Sequence, residues 1–392
     1  MVNADRRLFA ARRAVEIAPF EVMEILDRAR ALESLGRHIV HLEIGEPDFT
    51  APPAVAEAAC RALRDGCTAY TAALGLPQLR EAIARFYVER LGVTVDPARI
   101  AVTAGASGGL LLSLATLVEP GQEVLVPDPG YPAYRHCVRA FEGTPRPLMV
   151  GAASRFQPTL ADVESAWSGR TAGLIVGSPS NPTGTTIARD ELQEIALFAA
   201  DRNGFVLVDE IYQGLCYGEL PTTAADLGDN IVVVNSFSKY FCMTGWRLGW
   251  VVLPKALVRP FEKLAQHMFI CPSAVSQHGA LAAFEPSTLA ILEARRREFQ
   301  ARRDFLAPAL AGLGLPPSAD PTGAFYVYAD CSRYGTGRAF ARDLLEHAGV
   351  AATPGLDFGA HNTEHSVRFA YTRSMNDLRE AVRRIRALAD RA

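Results

Sequence analysis

Short apolar runs alternate with helical patterns over the first 285 residues or so. Helical spacing of apolar residues, closed by a glycine, predicts helices at residues 54–66 and 77–92. A further helix is predicted at residues 190–201. Strands are predicted at residues 100–103, 123–127, 174–176, 205–208, 231–234 and 248–253. Alternation of this kind indicates βαβ units and a largely parallel sheet, whose ligand groups gather at the carboxyl ends of the strands.

The pattern changes at about residue 286. A long arginine-rich helical stretch is followed by shorter elements, which together indicate a smaller α+β domain at residues 286–392. Residues 46–285 would form the large domain, and the segment 1–45, with a helix at residues 19–35, is expected to pack with the small one. The elements predicted in the small domain lie at residues 288–310, 324–329, 338–347, 367–371 and from Met375 onward.

Composition narrows the possible partners. About half of the 392 residues are hydrophobic and the formal net charge is −3, so a large core is possible and no nucleic-acid partner is expected. No apolar run reaches the length of a membrane span, and residues 1–13 lack the apolar centre of a secretory signal. The seven cysteines are scattered singly, which predicts no disulfide framework and fits a reducing cytoplasm.

Lys239 comes shortly after an apolar run at residues 231–234. Two serines, Ser236 and Ser238, lie just before it, and Arg247 lies eight positions after it. Burial lowers the pKa of a lysine and makes its amine nucleophilic, as Schiff-base chemistry with an aldehyde cofactor requires. Serine hydroxyls and an arginine fork suit a phosphate group. Covalent cofactor binding is therefore one interpretation of this stretch, and a surface lysine at a strand end is the alternative.

Small residues connect a predicted strand to a helix at residues 103–110, in the order Thr-Ala-Gly-Ala-Ser-Gly-Gly-Leu. Backbone N–H groups at a helix N-terminus bind anions, and residues as small as Ala106 and Ser107 let a phosphate approach closely. The spacing matches neither a dinucleotide-binding fingerprint nor a P-loop. A plain tight turn is the alternative interpretation.

Two proline-containing loops end further strands. In residues 128–132, Asp-Pro-Gly-Tyr-Pro, a rigid turn fixes the ring of Tyr131, which is then suited to stack on a flat heteroaromatic group. In residues 178–184, two prolines and a glycine orient the amide of Asn181 toward a possible phenolate acceptor. The alternatives are a core or rim aromatic for Tyr131 and a simple turn at Asn181.

Asp209 comes directly after an apolar strand, where a carboxylate is costly unless a cation pairs with it. It is a candidate for holding a protonated pyridine nitrogen, and Tyr212 is a candidate for a hydrogen bond to a ring oxygen. A carboxylate at a strand end also suits a metal, but no cluster of His, Cys and Asp accompanies this one. His361 and His365 are spaced like ligands but lie in a polar loop, so no metal is expected.

Arg368 lies inside a predicted strand of the smaller domain, in the stretch Ser-Val-Arg-Phe-Ala-Tyr at residues 366–371. The planar guanidinium binds a carboxylate through two parallel hydrogen bonds, which makes Arg368 a candidate for gripping a substrate carboxylate. A structural salt bridge is the competing interpretation.

Together these motifs resemble the class I/II aminotransferases, the fold-type I enzymes of the aspartate aminotransferase superfamily that use pyridoxal 5′-phosphate. The resemblance runs from about Gly45 to Arg368, and its specificity lies in the order and spacing of five positions: Asn181, Asp209, Tyr212, Lys239 and Arg247. It implies an α/β fold, with a mostly parallel seven-stranded sheet flanked by helices in the large, cofactor-binding domain and a smaller α+β domain beside it.

The resemblance also implies a role for each candidate residue. Lys239 looks like the Schiff-base lysine and proton shuttle, Asp209 like the partner of the pyridine nitrogen, and Tyr212 like a third catalytic group. The residues that would bind the cofactor are Tyr70, Ala106, Ser107, Tyr131, Asn181, Asp209, Tyr212, Ser236, Ser238, Lys239 and Arg247. Those that would bind the substrate are Gly45, Asn181 and Arg368.

Family members are usually homodimers with their active sites at the interface. Tyr70 resembles the tyrosine that reaches the phosphate from the neighbouring subunit, so a homodimer with Tyr70 contributed across the interface is expected. The implied partners are an amino acid and a 2-oxo acid, without nucleic acid or membrane.

The implied reaction moves an amino group between an L-amino acid and a 2-oxo acid such as 2-oxoglutarate or pyruvate. Members that favour acidic side chains can carry a lysine where this chain has Ser107, which favours a neutral or aromatic donor. A C–S β-lyase, a decarboxylase or a cyclopropane-forming synthase would use the same Lys239 and Asp209. Dependence of turnover on a 2-oxo acid separates transamination from these alternatives. A non-catalytic, aminotransferase-like sensor is a further alternative, but the sequence before Gly45 is too short for a DNA-binding module.

Overall fold

The computed structural model describes residues 10–218 and 222–390 and has an α/β fold. The α-helices are α1 Arg12–Glu16, α2 Glu21–Ser34, α3 Pro53–Arg64, α4 Pro77–Leu91, α5 Gly105–Leu117, α6 Ala133–Ala140, α7 Leu160–Ala166, α8 Arg189–Ala200, α9 Val258–Met268, α10 Ala274–Leu281, α11 Pro286–Ala311, α12 Gly337–Asp343 and α13 Met375–Ala389. The strands are β1 Val40–His41, β2 Ile100–Thr103, β3 Glu123–Asp128, β4 Thr144–Met149, β5 Thr171–Gly177, β6 Phe205–Asp209, β7 Ile231–Ser236, β8 Gly249–Val252, β9 Tyr326–Asp330, β10 Val350–Ala351, β11 Thr353–Pro354 and β12 Ser366–Ala370.

A seven-stranded sheet forms the centre of the large domain, in the order β2-β8-β7-β6-β5-β3-β4. Its strands are parallel except β8, which runs antiparallel to both β2 and β7. Alternate side chains of β6 enter different buried clusters: Val206 and Val208 join one, and Leu207 joins the other. Both faces of the sheet are therefore covered, as in doubly wound folds, and the predicted fold class is confirmed.

The apolar pattern did not reveal β4, which lies at the edge of this sheet. Its sequence, Thr-Pro-Arg-Pro-Leu-Met, has few β-forming residues, and Pro145 and Pro147 lack a backbone N–H. Proline is tolerated in an edge strand because one side of the strand forms no ladder. β4 pairs in parallel with β3 alone, which explains how two prolines fit there.

The predicted helix boundaries are close to the observed ones where a proline or a glycine marks the end of the helix. Helix α4 begins at Pro77 and ends before Gly92, whose φ of 67° is left-handed. Proline suits the first turn of a helix, and glycine adopts the left-handed conformation after the last turn without a Cβ penalty. Helix α12 ends earlier than predicted, because a π-helical turn at Leu344–Ala348 takes over from it.

The C-terminal part of the chain contains a three-stranded antiparallel sheet, β11-β12-β9, which presents Arg368 on its central strand. Helix α2 packs against this part through a small apolar cluster of Ala29 and Leu32 with Leu345 and Ala351. The boundaries at residues 45 and 285 stay a prediction, and residues 1–9 and 391–392 lie outside the described residues.

Within residues 10–218 and 222–390, no helix combines the length and the apolar character that crossing a membrane requires.

Candidate active site

A cavity of about 380 Å³ lies at the carboxyl ends of β6 and β7, beside the C-terminal sheet. All candidate residues except Tyr70 line it. These lining candidates are Gly45, Ala106, Ser107, Tyr131, Asn181, Asp209, Tyr212, Ser236, Ser238, Lys239, Arg247 and Arg368. Residues spread over most of the chain therefore meet at one place, where parallel sheets gather their ligand groups.

Lys239 follows β7 and extends its amine into the cavity. Nζ donates a hydrogen bond to the backbone oxygen of Gly45 at 2.6 Å. Burial lowers the pKa of Lys239 to about 8, and the charge of Glu46 opposes this shift. A much larger fraction of the side chain is therefore the neutral, nucleophilic amine near pH 8 than in an exposed lysine.

Asp209 ends β6 as a buried carboxylate. Its Oδ2 accepts a hydrogen bond from the hydroxyl of Tyr134 at 2.8 Å, and its Oδ1 accepts one from the N–H of Ile211 at 3.1 Å. Burial raises the pKa of Asp209, and these two hydrogen bonds act against that rise. A cationic ring nitrogen placed beside Asp209 would offset the desolvation that the carboxylate experiences here.

The N-terminus of α5 has features that suit an anion. Its first turn carries no acidic residue, and the preceding Ala104 supplies no side-chain cap, so the helix N–H groups near Ala106 and Ser107 are open to a ligand. Gly105 has a φ of 73°, and a Cβ there would lie 2.6 Å from Nη2 of Arg247. Glycine thus allows the guanidinium to lie against the start of the helix.

Arg247 donates to the backbone oxygen of Thr244 at 3.1 Å. In the described part of the chain it forms no ion pair with a carboxylate. Ser236 and Ser238 are buried beside it, and the hydroxyl of Ser236 accepts from the N–H of Ser238 at 3.0 Å. A cation, hydroxyls and helix N–H groups together suit a phosphate.

Among the described residues, five aromatic side chains line the cavity, including the candidates Tyr131 and Tyr212. The ring of Tyr131 stacks near that of Phe20, with centroids 6.3 Å apart, and meets Tyr134 edge to face at 5.4 Å. The hydroxyl of Tyr212 shares a hydrogen bond of 2.7 Å with the hydroxyl of Tyr326. The cavity therefore has a flat aromatic wall at Tyr131 and a hydroxyl pair at Tyr212.

Arg368 is buried, yet every hydrogen-bond acceptor that contacts it is neutral. It donates to Oδ1 of Asn181 at 2.8 Å, to Oγ1 of Thr353 at 3.3 Å and to the backbone oxygen of Glu43. Its Nε is buried without a hydrogen-bond partner, and among the described residues no carboxylate lies within ion-pair distance. A buried guanidinium in this state has its charge available for an incoming carboxylate.

Comparisons with known proteins identify the family. The chain matches the model of aminotransferase class I and II over residues 37–385. It belongs to the class I and II aminotransferases.

Similar proteins cover nearly the whole chain. Valine–pyruvate aminotransferase of Mycobacterium tuberculosis is 38% identical over 94% of this chain and 96% of its own length. Aspartate/prephenate aminotransferase of Thermus thermophilus is 34% identical over 97% and 99%. The solved aspartate aminotransferase of Thermus thermophilus with maleate has a TM-score of 0.92 at 33% identity, covering 97% of this chain and 100% of that one. The chain is therefore an enzyme, a transaminase of a family whose cofactor is pyridoxal 5′-phosphate.

Tyr70 and the two histidines lie elsewhere in this aminotransferase. Tyr70 is 80% exposed and does not line the cavity, so its contact across a subunit interface stays a prediction. His365 bonds through Nδ1 to the backbone oxygen of Gly335 at 2.8 Å. In the described ranges, no three His, Cys, Asp or Glu side chains are grouped to hold a metal.

Sequence reasoning missed several residues of the aminotransferase site. Tyr134 holds Asp209, and Tyr326 holds Tyr212. Tyr134 lies in the first turn of α6, three positions after Tyr131 in the loop, and the two rings are in contact. Nothing in the local pattern indicated that Phe20, near the N-terminus, reaches the cavity.

Proposed function

We propose that this aminotransferase binds pyridoxal 5′-phosphate covalently through Lys239 and moves an amino group from a neutral or aromatic L-amino acid to a 2-oxo acid such as pyruvate or 2-oxoglutarate. The observation that carries the proposal is one cavity that joins three groups: the buried amine of Lys239, the buried carboxylate of Asp209, and Arg368, which pairs with no carboxylate of the described residues.

The residues present fit the cofactor. The start of α5, with Ala106 and Ser107, would hold the phosphate together with Arg247, because helix N–H groups and a free cation face the same space. Asp209 would hold the pyridine nitrogen, and the ring of Tyr131 would stack on the pyridine. The remaining proposed contacts are the hydroxyls of Ser236 and Ser238 to the phosphate and the side chains of Asn181 and Tyr212 to the phenolic oxygen.

The chain's own groups then supply the proton transfers. When bound, the cofactor acts as an electron sink for the substrate. Lys239 Nζ accepts the proton that leaves the substrate Cα, a task that suits an amine with a pKa of about 8. The carboxylate of Asp209 would keep the pyridine nitrogen protonated and positively charged. Low-dielectric surroundings strengthen the attraction between these two charges.

Arg368 would grip the substrate carboxylate. Its guanidinium already donates a hydrogen bond to Asn181. Its Cζ lies 4.3 Å from the ring centroid of Tyr326 and 4.8 Å from that of Phe358, and these ring contacts fix the plane of the guanidinium. Asn181 and the backbone of Gly45 would complete this subsite. A preset, planar fork loses little freedom when a carboxylate arrives.

The rest of the lining favours a substrate without a second charge. Phe20, Val22, Met23 and Leu111 line the side of the cavity near the N-terminal segment. Among the described lining residues the lysines and arginines are Lys239, Arg247 and Arg368, and each already has a proposed role. Among the described residues of the lining, no further cation is present for a side-chain carboxylate, which agrees with the name of the valine–pyruvate relative more than with the aspartate aminotransferases.

Two further parts of the proposal concern the assembly and the chain's division. The exposed ring of Tyr70 supports a homodimer in which it reaches the neighbouring subunit's phosphate site. The change of architecture after α10 supports a division into a segment at residues 1–45, a large domain at 46–285 and a small domain at 286–392. A cytoplasmic location stays a prediction from the scattered cysteines.

The donor preference is tested by steady-state transamination with pyruvate. L-Valine and L-phenylalanine should exceed L-aspartate in kcat/KM by at least about tenfold, because an unpaired carboxylate in an apolar pocket is costly. A Ser107→Lys variant serves as the matched probe, since it adds a cation to the lining and should shift the ratio toward L-aspartate. Faster turnover of L-aspartate by the unaltered enzyme would contradict the assignment.

A further inference from the structure

The segment at residues 41–45 contacts both reactive ends of the cavity through its backbone. The carbonyl oxygen of Gly45 accepts from Lys239 at 2.6 Å, and that of Glu43 accepts from Arg368. The hydroxyl of Thr353 donates to the same Glu43 oxygen at 3.1 Å and accepts from Arg368 at 3.3 Å. The conformation of this segment therefore decides where the guanidinium of Arg368 lies.

The side chain of Glu43 is fully buried directly behind that carbonyl. Its Oε1 bonds to Nδ1 of His41 at 2.7 Å, and its Oε2 has no hydrogen-bond partner. The other ring nitrogen of His41, Nε2, forms a hydrogen bond of 3.0 Å with Oε1 of Glu33 on α2. Residues two apart in an extended stretch share a face, which explains how His41 reaches Glu43.

Burying a carboxylate that forms one hydrogen bond costs free energy, so its presence calls for a structural or functional explanation. The bond to Glu43, aided by Glu33, raises the pKa of His41 and so favours its cationic form, which compensates the buried charge. The pair links α2, on the outside, to the backbone that holds Arg368. None of the contacts of the Glu43 side chain faces the cavity, so a direct role in chemistry does not explain it.

We propose that Glu43, held by His41, positions Arg368 for the substrate carboxylate. The proposal rests on the assignment of Arg368 as the carboxylate-binding residue. Glu43 is a positioning residue: its side chain acts through the turn of its own backbone, whose carbonyl fixes Nη2 while Asn181 fixes Nη1. When the bond to His41 is weakened, the carbonyl loses one restraint on its direction, although the hydroxyl of Thr353 still bonds to it, and the fork is held less firmly with its two donors parallel.

The test uses the holoenzyme and isovalerate, a carboxylate with the carbon skeleton of valine and no amine. Its inhibition constant against an amino-acid substrate measures the Arg368 subsite without chemistry. Glu43→Gln keeps the shape and removes the charge, and we expect it to raise this constant about tenfold, as expected for weakening one charge-assisted hydrogen bond. Retention of the cofactor, measured by its visible absorbance, should stay unchanged.

Glu33→Gln is the matched control. It makes the same substitution on the far side of His41, at a residue that does not contact the 41–45 segment's carbonyls, and should leave the inhibition constant within about twofold. His41→Asn is the second variant, because its amide replaces Nδ1 without the charge; it should raise the constant in the same direction and carries the test if Glu43→Gln fails to fold.

Arg368→Lys separates this inference from the proposed function. If Arg368→Lys weakens isovalerate while Glu43→Gln and His41→Asn do not, the positioning role is wrong and the function stands. If Arg368→Lys leaves isovalerate binding unchanged, the carboxylate assignment itself is wrong. Equal loss of cofactor and isovalerate in Glu43→Gln would show a general structural role and would also overturn the proposal.

Discussion

The two ends of the cavity are built in different ways. At the cofactor end, Asp209 is the last residue of β6, Lys239 lies three residues after β7, and Ser107 lies at the start of the helix that follows β2. At the substrate end, Arg368 meets Glu43, which is 325 positions away, and Asn181, which is 187 positions away. The central sheet sets the positions of the residues at the cofactor end. The substrate end forms only when three distant parts of the chain pack together.

This difference predicts different consequences of substitution. Changes at the cofactor end should remove chemistry or cofactor while leaving the fold, because buried strands hold the neighbouring backbone. Changes at the substrate end should weaken amino-acid binding while leaving the cofactor in place.

Lys239→Ala should have the largest effect. Without the amine, covalent attachment and proton transfer at Cα are both lost, and we expect turnover to fall by at least about 10³-fold. The measurement is steady-state transamination together with the visible absorbance of the protein, which should disappear. Substantial multiple turnover by this variant would place the chemistry on another residue.

Asp209→Asn should have the next largest effect. A neutral amide does not compensate a positive ring nitrogen, so we expect kcat to fall about 10²-fold. Tyr134→Phe is the control, since it removes one hydrogen bond to the same carboxylate and leaves the charge. An equal loss in both variants would mean that the geometry of Asp209, and not its charge, matters.

Arg368→Lys should separate the two ends most clearly. A point charge replaces a planar fork, and we expect KM for the amino acid to rise about 10- to 100-fold while cofactor affinity is unchanged. Arg379→Lys, the same substitution on the exposed face of α13, is the control. Equal loss of amino-acid and cofactor affinity would indicate that Arg368 stabilises the fold instead.

The pH dependence of cofactor attachment should show a smaller effect at the cofactor end. Only the neutral amine of Lys239 reacts with an aldehyde, and its pKa is lowered to about 8. Below that pH the ammonium form dominates, so the rate constant measured with cofactor-free enzyme should rise roughly tenfold between about pH 7 and about pH 9 and then level off. A rate that keeps rising toward pH 10 would indicate a solvated lysine with an ordinary pKa.

The sequence was most informative where a local pattern and a chemical requirement coincide. Asp209 and Lys239 could be predicted because a charged residue at or shortly after the end of an apolar strand implies a buried charge at the carboxyl edge of the sheet. The turn at Gly105 could also be predicted, because small residues connect a predicted strand to a predicted helix there. The central sheet followed from alternation of strands and helices, except for β4, whose prolines contradict strand propensity and are tolerated only at an edge.

The rest of the site depends on tertiary packing that no local pattern contains. Tyr326 begins β9, whose residues before Asp330 look like core, and only the pairing of distant segments brings its hydroxyl to Tyr212. Phe20 and Glu43 come from a part of the chain that carried no chemical motif. In the sequence, Glu43 looks like an ordinary exposed polar residue next to Leu42, but both side chains are fully buried.

The most direct test of the central claim is a spectral titration of the purified enzyme with amino acids and no 2-oxo acid. The claim is that Lys239 and Arg368, from the two differently built ends, act on one substrate. We predict a visible cofactor band that disappears when L-valine is added, with release of one equivalent of the corresponding 2-oxo acid, and a much slower change with L-aspartate. A colourless protein that stays colourless with added pyridoxal 5′-phosphate would contradict the account, and so would a band that persists while pyruvate and ammonia accumulate from a sulfur amino acid.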